Sequence, residues 1–146
     1  ISFHDGSKNS EKLRNIYHIS NRFVKISSGF MAVASILLAK PITSVFVSES
    51  SHTFAMTVTG FALFGINYLF SGYNVFTSSL FTALSDGKTS ALVSFSRTFV
   101  CILASLLILP QIIGLKGVWL AVPVAEFVTS GLSFYCQRRN LSKYGI

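Results

Sequence analysis

The chain has 146 residues, of which 51% are hydrophobic and only 12% are charged, and its formal net charge is +7. Soluble globular domains carry roughly 25% charged residues, so a chain with a mean hydropathy of +0.59 has too few polar side chains to cover a surface in water. The composition argues against a soluble domain and predicts a membrane protein whose solvent is lipid. The basic residues lie in short connections between apolar runs, which does not fit a nucleic-acid-binding face.

The first region, residues 1–22, is polar and basic, and its apolar residues recur at helical spacing towards its end. We interpret it as a cytoplasmic connector with a short amphipathic helix at the membrane surface, although a solvated connector fits the same pattern. Residues 23–146 are predicted to form four transmembrane helices. The first span is predicted at about 23–47, with a kink at Pro41, because proline removes one backbone hydrogen bond from a helix.

The second span is predicted at about 55–82, inside a stretch without charged residues. Its middle carries polar side chains, and we consider them candidates for lining a substrate pathway: Asn67, Tyr68, Ser71, Tyr73 and Asn74. Spacing puts the two asparagines on one helix face, and the phenol rings could stack on an organic cation. Hydrogen bonding between helices is the alternative role for these residues, and neighbouring glycines would permit close helix approach or local bending.

The third span is predicted at about 90–109 and is expected to end at Pro110, followed by a short loop at 111–116. The fourth span is predicted at about 117–137. Trp119, at its start, is expected to anchor the helix at the membrane interface.

Two charged residues lie inside these last spans. Glu126 is nine residues into the fourth span, about 13 Å along the helix and therefore near the bilayer centre. An ionisable group at that depth usually faces a bundle interior or a water-filled cavity, so we predict Glu126 as an ion-coupling residue; a packing role is the alternative. For Arg97, snorkelling to the headgroups is favoured over pairing with a carboxylate.

The distribution of basic residues predicts that both ends of the segment are cytoplasmic, because positively charged connections stay inside. The connections at 48–52 and 110–116 would then face outside, and the protein would be a multi-pass protein of the plasma or inner membrane. No glycine-rich phosphate loop and no His or Cys pair at metal spacing occurs in the sequence. We therefore expect neither an enzyme nor a metal site nor a cofactor.

The run at 108–126 carries a specific resemblance. It contains Leu-Pro ending at Pro110, then Gly-Leu-Lys-Gly-Val-Trp ending at Trp119, then Pro123 and Glu126. This order closely resembles the junction of the eleventh and twelfth helices in the MATE family of multidrug and toxic compound extrusion transporters. Segments at 6–9 and 81–97 also resemble that family in the same order, so the similarity extends over essentially the whole chain.

The resemblance implies a twelve-helix, two-lobed fold of the MOP superfamily, in which this chain would supply helices nine to twelve and lack the N-terminal lobe. It further implies a secondary active antiporter that exports cationic or amphipathic organic compounds in exchange for H⁺ or Na⁺. The expected partners are the lipid bilayer, cationic small molecules and the missing lobe.

The sequence departs from the family pattern in the second span. Some family members carry a coupling acid on the tenth helix, whereas here only Asp86 follows that span. Two alternatives therefore stay open: a flippase for lipid-linked oligosaccharides from the same superfamily, which would need a basic cavity, and a truncated fragment that does not transport.

Overall fold

The computed structural model describes residues 10–144, so the first nine residues of the predicted connector lie outside the described residues. The described part of the chain is almost entirely helical. Its elements in chain order are α1 (Ser10–Phe46), α2 (His52–Gly65), α3 (Tyr68–Ala83), α4 (Gly87–Phe95), a π-helical segment (Ser96–Cys101), α5 (Ile102–Ile113), α6 (Leu115–Asn140) and a short 3₁₀ helix (Leu141–Tyr144).

These elements form four stretches that are long and apolar enough to cross a membrane. Large apolar side chains cover their outer surfaces; on α1, for example, Phe23, Phe30 and Leu37 are each exposed, as expected for a surface in contact with hydrocarbon. The prediction of an all-α, multi-pass membrane protein with four spans is confirmed. The four stretches are Glu11–Phe46, His52–Ala83, Gly87–Ile113 and Leu115–Tyr144.

The first span differs from its prediction because α1 is one helix of 37 residues. It shows no break at residue 22 and continues through Pro41, so residues 10–22 are not a separate surface helix. The reason is a shared face: the positions of Leu13 and Tyr17 continue into the buried positions of Ala32 and Ala39 at helical spacing. One packed stripe therefore runs along the whole helix.

The second span is a broken helix. Helix α2 ends at Gly65 and α3 begins at Tyr68, and across the break the Ile66 and Asn67 N–H groups donate to carbonyls three residues back, at 3.3 and 2.9 Å. Gly65 is packed so closely on α1 that an added Cβ would lie 2.6 Å from Ser35 Oγ. A glycine is favourable for that approach but weakens helix propagation, in agreement with the bending predicted from the glycines of this span.

The third and fourth spans meet at a tighter junction than predicted. Helix α5 passes through Pro110 and ends at Ile113, so the predicted end at Pro110 and the predicted loop at 111–116 are wrong. Gly114 alone forms the connection to α6, with a φ of 62°. Glycine adopts this left-handed conformation without a steric penalty, which allows the chain to reverse within one residue.

Two side chains cap helices at the other connections. Ser51 Oγ accepts a hydrogen bond from the Phe54 N–H at 3.2 Å at the start of α2. Asp86 accepts from the Thr89 N–H at 3.1 Å and from the Thr89 hydroxyl at 2.7 Å at the start of α4. These hydrogen bonds favour the ionised carboxylate and lower the pKa of Asp86 below its ordinary value.

A cluster of buried apolar side chains lies at one end of the bundle, which the positive-inside pattern predicts to be cytoplasmic. It joins α1, α3, α4 and α6, because these four helices each direct apolar residues to the same place. Its members are Leu13, Tyr17, Leu80, Phe81, Leu84, Val93, Cys136 and Leu141.

Candidate functional site: a buried polar network around Glu126

Glu126 lies inside the bundle with only 4% of its surface exposed. Asn74 Nδ2 donates to Glu126 Oε2 at 2.6 Å and to the Glu126 carbonyl oxygen at 2.8 Å. The same carbonyl oxygen accepts from Ser130 Oγ at 2.9 Å. Because Asn74 is fully buried and belongs to α3, these bonds fix the carboxylate of α6 against the second span.

The guanidinium of Arg97 pairs with the other oxygen of this carboxylate. Arg97 Nε lies 3.5 Å from Glu126 Oε1, and the arginine side chain is 28% exposed. Pairing with a carboxylate therefore occurs, and the favoured prediction that Arg97 snorkels to the headgroups is wrong. Arg97 belongs to the π-helical segment, a wider helical turn that often marks functional positions.

The network extends from Asn74 towards the end of the bundle that carries the apolar cluster. Ser133 Oγ donates to Asn74 Oδ1 at 2.8 Å. Further along α6, Gln137 Nε2 donates to Thr77 Oγ1 at 2.7 Å, and Gln137 Oε1 accepts from the Tyr17 hydroxyl at 2.8 Å. The polar network thus consists of two hydrogen-bonded groups along one face of α6: one joins Glu126 and Ser133 to Asn74 and Arg97, and the other joins Gln137 to Thr77 and Tyr17.

Helical spacing explains why α6 supplies so many members of this network. Glu126, Ser130, Ser133 and Gln137 follow one another at intervals of three or four residues and therefore share one face. Sequence reasoning selected Glu126 but missed the other three. Their recurrence at helical spacing within an apolar span was the signal that could have found them.

The five pathway candidates of the second span do not meet in one place. Asn74 joins the network, Tyr68 and Ser71 line a cavity against α1, and Tyr73 lines a different cavity. Asn67 is buried next to the helix break, and its Oδ1 has no hydrogen-bond partner in the described part of the chain.

The remaining candidates have structural surroundings. Trp119 is half-buried, and its indole ring packs directly on Gly60 of α2. Pro110 lies within α5, and Pro123 is buried within α6. The two cysteines, Cys101 and Cys136, are free thiols.

A basic cavity of about 590 Å³ lies between α1, α3 and α6. Its wall shares Tyr17 and Gln137 with the polar network. Three cationic side chains and one histidine line it: Arg14, Lys25, Arg138 and His18. The sequence analysis did not predict that these four residues lie together.

The arrangement around Glu126 is a buried carboxylate that accepts from an amide and pairs with a guanidinium. Within residues 10–144, no group of three His, Cys, Asp or Glu side chains lies close enough to hold a metal ion. A proton or a cation that binds the Glu126 carboxylate would cancel its attraction for the Arg97 guanidinium. The ion pair contributes an electrostatic attraction between the π-helical segment and α6.

Comparison with solved structures defines the class of fold. No protein-family model matches the chain, and no curated protein matches it significantly. The chain superposes on an inward-facing multidrug resistance MATE family transporter of the MOP superfamily with a TM-score of 0.87 and 20% identity, covering 98% of this chain and 33% of the transporter. For an outward-facing MATE transporter the TM-score is 0.86, the identity 19%, and the coverage 98% and 32%.

The chain therefore has the helical fold of part of a MATE transporter, and it spans about a third of the length of each transporter that it matches. The resemblance inferred from the sequence is confirmed at the level of the fold.

Proposed function

We propose that this chain is the helix-nine-to-twelve part of a secondary active antiporter that exports cationic or amphipathic organic compounds. The observation that carries the proposal is the ion pair between the buried Glu126 and the half-buried Arg97 inside a bundle with the MATE fold. Ionisable groups within membrane spans commonly mark ion pathways and proton relays. The coupling ion would be H⁺ or Na⁺, and Glu126 would bind it.

The hydrogen bonds around Glu126 support this role. Asn74, which accepts a hydrogen bond from Ser133, donates to the carboxylate of Glu126 from one side, while the more exposed Arg97 approaches from the other. When the ion binds Glu126, the guanidinium of Arg97 loses its partner, and the π-helical segment is free to change its position relative to α6. Ion binding would thus change helix packing, as alternating access requires.

The substrate class rests on the fold similarity. Both matched structures are described as multidrug resistance transporters. The half-buried phenol-bearing residues Tyr68 and Tyr73 line cavities on opposite sides of α3, and phenol rings attract organic cations. Both features are compatible with a cationic, partly apolar substrate.

The test uses the full-length protein that contains this chain, reconstituted in vesicles with a cationic fluorescent dye. Imposing a proton or a sodium gradient should drive dye transport, and collapsing the gradient should stop it. Glu126→Gln keeps the shape of the side chain and removes its charge, so transport should lose its dependence on pH or sodium. The matched control is Glu49→Gln, which changes an exposed carboxylate in a connection and should transport like the wild type.

Two results would count against the proposal in different ways. If Glu126→Gln transports the dye like the wild type at every pH, Glu126 has a packing role and does not couple transport to an ion. Dye transport that does not depend on either gradient would exclude a cation-coupled antiporter.

The flippase for lipid-linked oligosaccharides remains a second candidate, because the basic cavity has the charge that such a substrate requires. However, its basic residues lie at one end of the bundle, whereas Arg97 in the interior is paired with Glu126. We therefore favour the exporter. Translocation of a lipid-linked oligosaccharide by the same vesicles, without dye transport, would reverse this choice.

A further inference from the structure

The basic cavity combines two kinds of wall. On α1, Arg14, His18, Asn21 and Lys25 follow each other at intervals of four, three and four residues and face Arg138 of α6 across the cavity. None of the described residues that line the cavity is acidic. Its charged wall therefore attracts anions, in contrast to the cationic substrates of the proposed function.

The other wall is apolar and reaches towards the membrane interior. Leu69 and Phe70 at the start of α3 and Phe134 of α6 line it. Because the guanidinium of Arg138 stacks 4.7 Å above the Phe134 ring, the charged and apolar walls meet along one edge. A cavity of about 590 Å³ with this polarity fits a molecule that has an anionic head and an apolar tail.

A polar atom within the cavity wall also lacks a partner. Asn21 Oδ1 is buried and accepts no hydrogen bond from residues 10–144, although Asn21 lines the cavity. Buried polar atoms are nearly always hydrogen-bonded, either to protein groups or to ordered water. A hydroxyl on an anionic headgroup would donate to this oxygen while the phosphate lies among the basic side chains.

We propose that this cavity binds an acidic phospholipid with a hydroxyl-bearing headgroup, such as phosphatidylglycerol. Its anionic headgroup would lie among the basic side chains of the cavity, and its acyl chains would lie along Leu69 and Phe70. Basic pockets between transmembrane helices are known to bind anionic lipid headgroups at the cytoplasmic leaflet, which is where the charge distribution predicts this end of the bundle. The site goes beyond the proposed exporter activity and involves neither Glu126 nor Arg97.

The experiment places the full-length protein in nanodiscs of phosphatidylcholine with increasing shares of phosphatidylglycerol and counts retained lipids by native mass spectrometry. The pocket variant is R14Q/K25Q/R138Q. Its control, R22Q/K88Q/R139Q, removes the same number of arginine and lysine charges from exposed positions that do not line the cavity. The wild type and the control should retain phosphatidylglycerol in preference to phosphatidylcholine. In the pocket variant, the ratio of retained phosphatidylglycerol to retained phosphatidylcholine should fall at least tenfold.

Further arms identify the ligand and guard against misfolding. Inorganic phosphate added to the nanodiscs should not displace the lipid, because it lacks the apolar tail; if it does, the site is one for free anions and the proposal fails. Equal losses in the pocket variant and the control would show only a diffuse charge effect and overturn the proposal. So would a wild type without preference, as expected if other helices of the full-length protein fill the cavity. If the triple variant does not accumulate, the single variants R138Q and R139Q are compared instead. R138Q should then lose the preference for phosphatidylglycerol, and R139Q should keep it.

Discussion

The two ends of the bundle are held together in different ways. At the end with the basic residues, side chains make the contacts: the apolar cluster around Phe81 and the hydrogen bonds from Tyr17 to Gln137 and on to Thr77 join the helices. At the opposite end, the helices touch through glycines. Gly60 lies under the ring of Trp119, and Gly117 lies against the backbone of α5.

The kind of contact at each end of the bundle determines which helices can shift relative to one another. Contacts between glycine and a neighbouring backbone allow no substitution and little displacement, because protein interiors are close-packed. Hydrogen bonds and ion pairs between side chains can exchange partners when protons, ions or lipids bind. We therefore expect the Gly117 junction to act as a rigid pivot and the polar network to be the part that responds to ligands.

The largest effect is expected from Gly117→Ala. An added methyl group would overlap the Leu109 carbonyl group and approach the Pro110 nitrogen to 2.7 Å. Since backbone atoms cannot turn aside, overpacking should destabilise the protein by about 2–3 kcal/mol. Thermal unfolding of the purified full-length protein measures this loss.

The matched control is Gly131→Ala in the same helix, where the methyl group meets no atom within 4 Å. It should be neutral or stabilise the protein by up to about 1 kcal/mol, because alanine is the better helix former. Equal stability of the two variants would contradict the idea of a rigid pivot.

Comparing the two buried asparagines tests how much the hydrogen bonds of the polar network contribute to stability. Asn74→Ala removes the bonds to Glu126 and Ser133 and should cost about 1–2 kcal/mol, since buried groups lose their partners. Asn67→Ala removes a buried amide oxygen that has no partner among the described residues and should cost less than Asn74→Ala, because no hydrogen bond of that oxygen is lost. Unfolding of both variants in the same detergent measures the difference, and a larger loss for Asn67 would show that its oxygen binds something.

Sequence reasoning predicted the number of spans and their approximate positions, because apolar runs without charges are enough to identify helices in lipid. It also selected Glu126 from its depth. It failed where an interruption changes which way a residue faces. The π-helical segment around Arg97 and the break before Tyr68 both alter the 3.6-residue spacing on which face assignments depend. Hydropathy does not detect either interruption, so the partner of Arg97 was missed.

The junction at Pro110 was missed for another reason. Proline was read as the end of a helix, yet α5 continues past it because the actual reversal is carried by Gly114. A positive φ at one glycine has no signature in composition, and the tight packing of Gly117 on α5 becomes visible only when the helices are placed together.

A smaller effect concerns the two helix caps, which lie at opposite ends of the bundle. Asp86→Ala should cost about 1 kcal/mol at neutral pH because α4 loses its cap, and Ser51→Ala should cost a similar amount at α2. The pKa of Asp86 is lower in the folded protein than its ordinary value of 3.8, so the unfolded chain binds its proton first. The contribution of Asp86 is therefore complete above this value and is lost as the pH falls through the folded pKa.

Asn is about as good a cap as Asp, which supplies the control. Asp86→Asn should keep its stability at neutral pH and remove this share of the acid sensitivity, whereas Ser51→Ala should leave the acid sensitivity unchanged. Denaturant unfolding at a series of pH values separates the three variants. Equal acid sensitivity of Asp86→Asn and the wild type would assign the pH dependence to other carboxylates.

The smallest effect is expected from Tyr17→Phe, which removes one hydroxyl from the polar network. The hydroxyl donates to Gln137 Oε1 at 2.8 Å and provides a polar contact between α1 and α6, and hydrogen bonds between membrane helices contribute only about 0.6 kcal/mol on average. The ring remains and still packs on Phe76, with the ring centroids 6.1 Å apart, so the apolar cluster should stay intact. Hydrogen exchange measured by mass spectrometry should show faster local opening of α1 with little change in global unfolding. A global loss several times larger would mean that the network, rather than the apolar cluster, holds the basic end together.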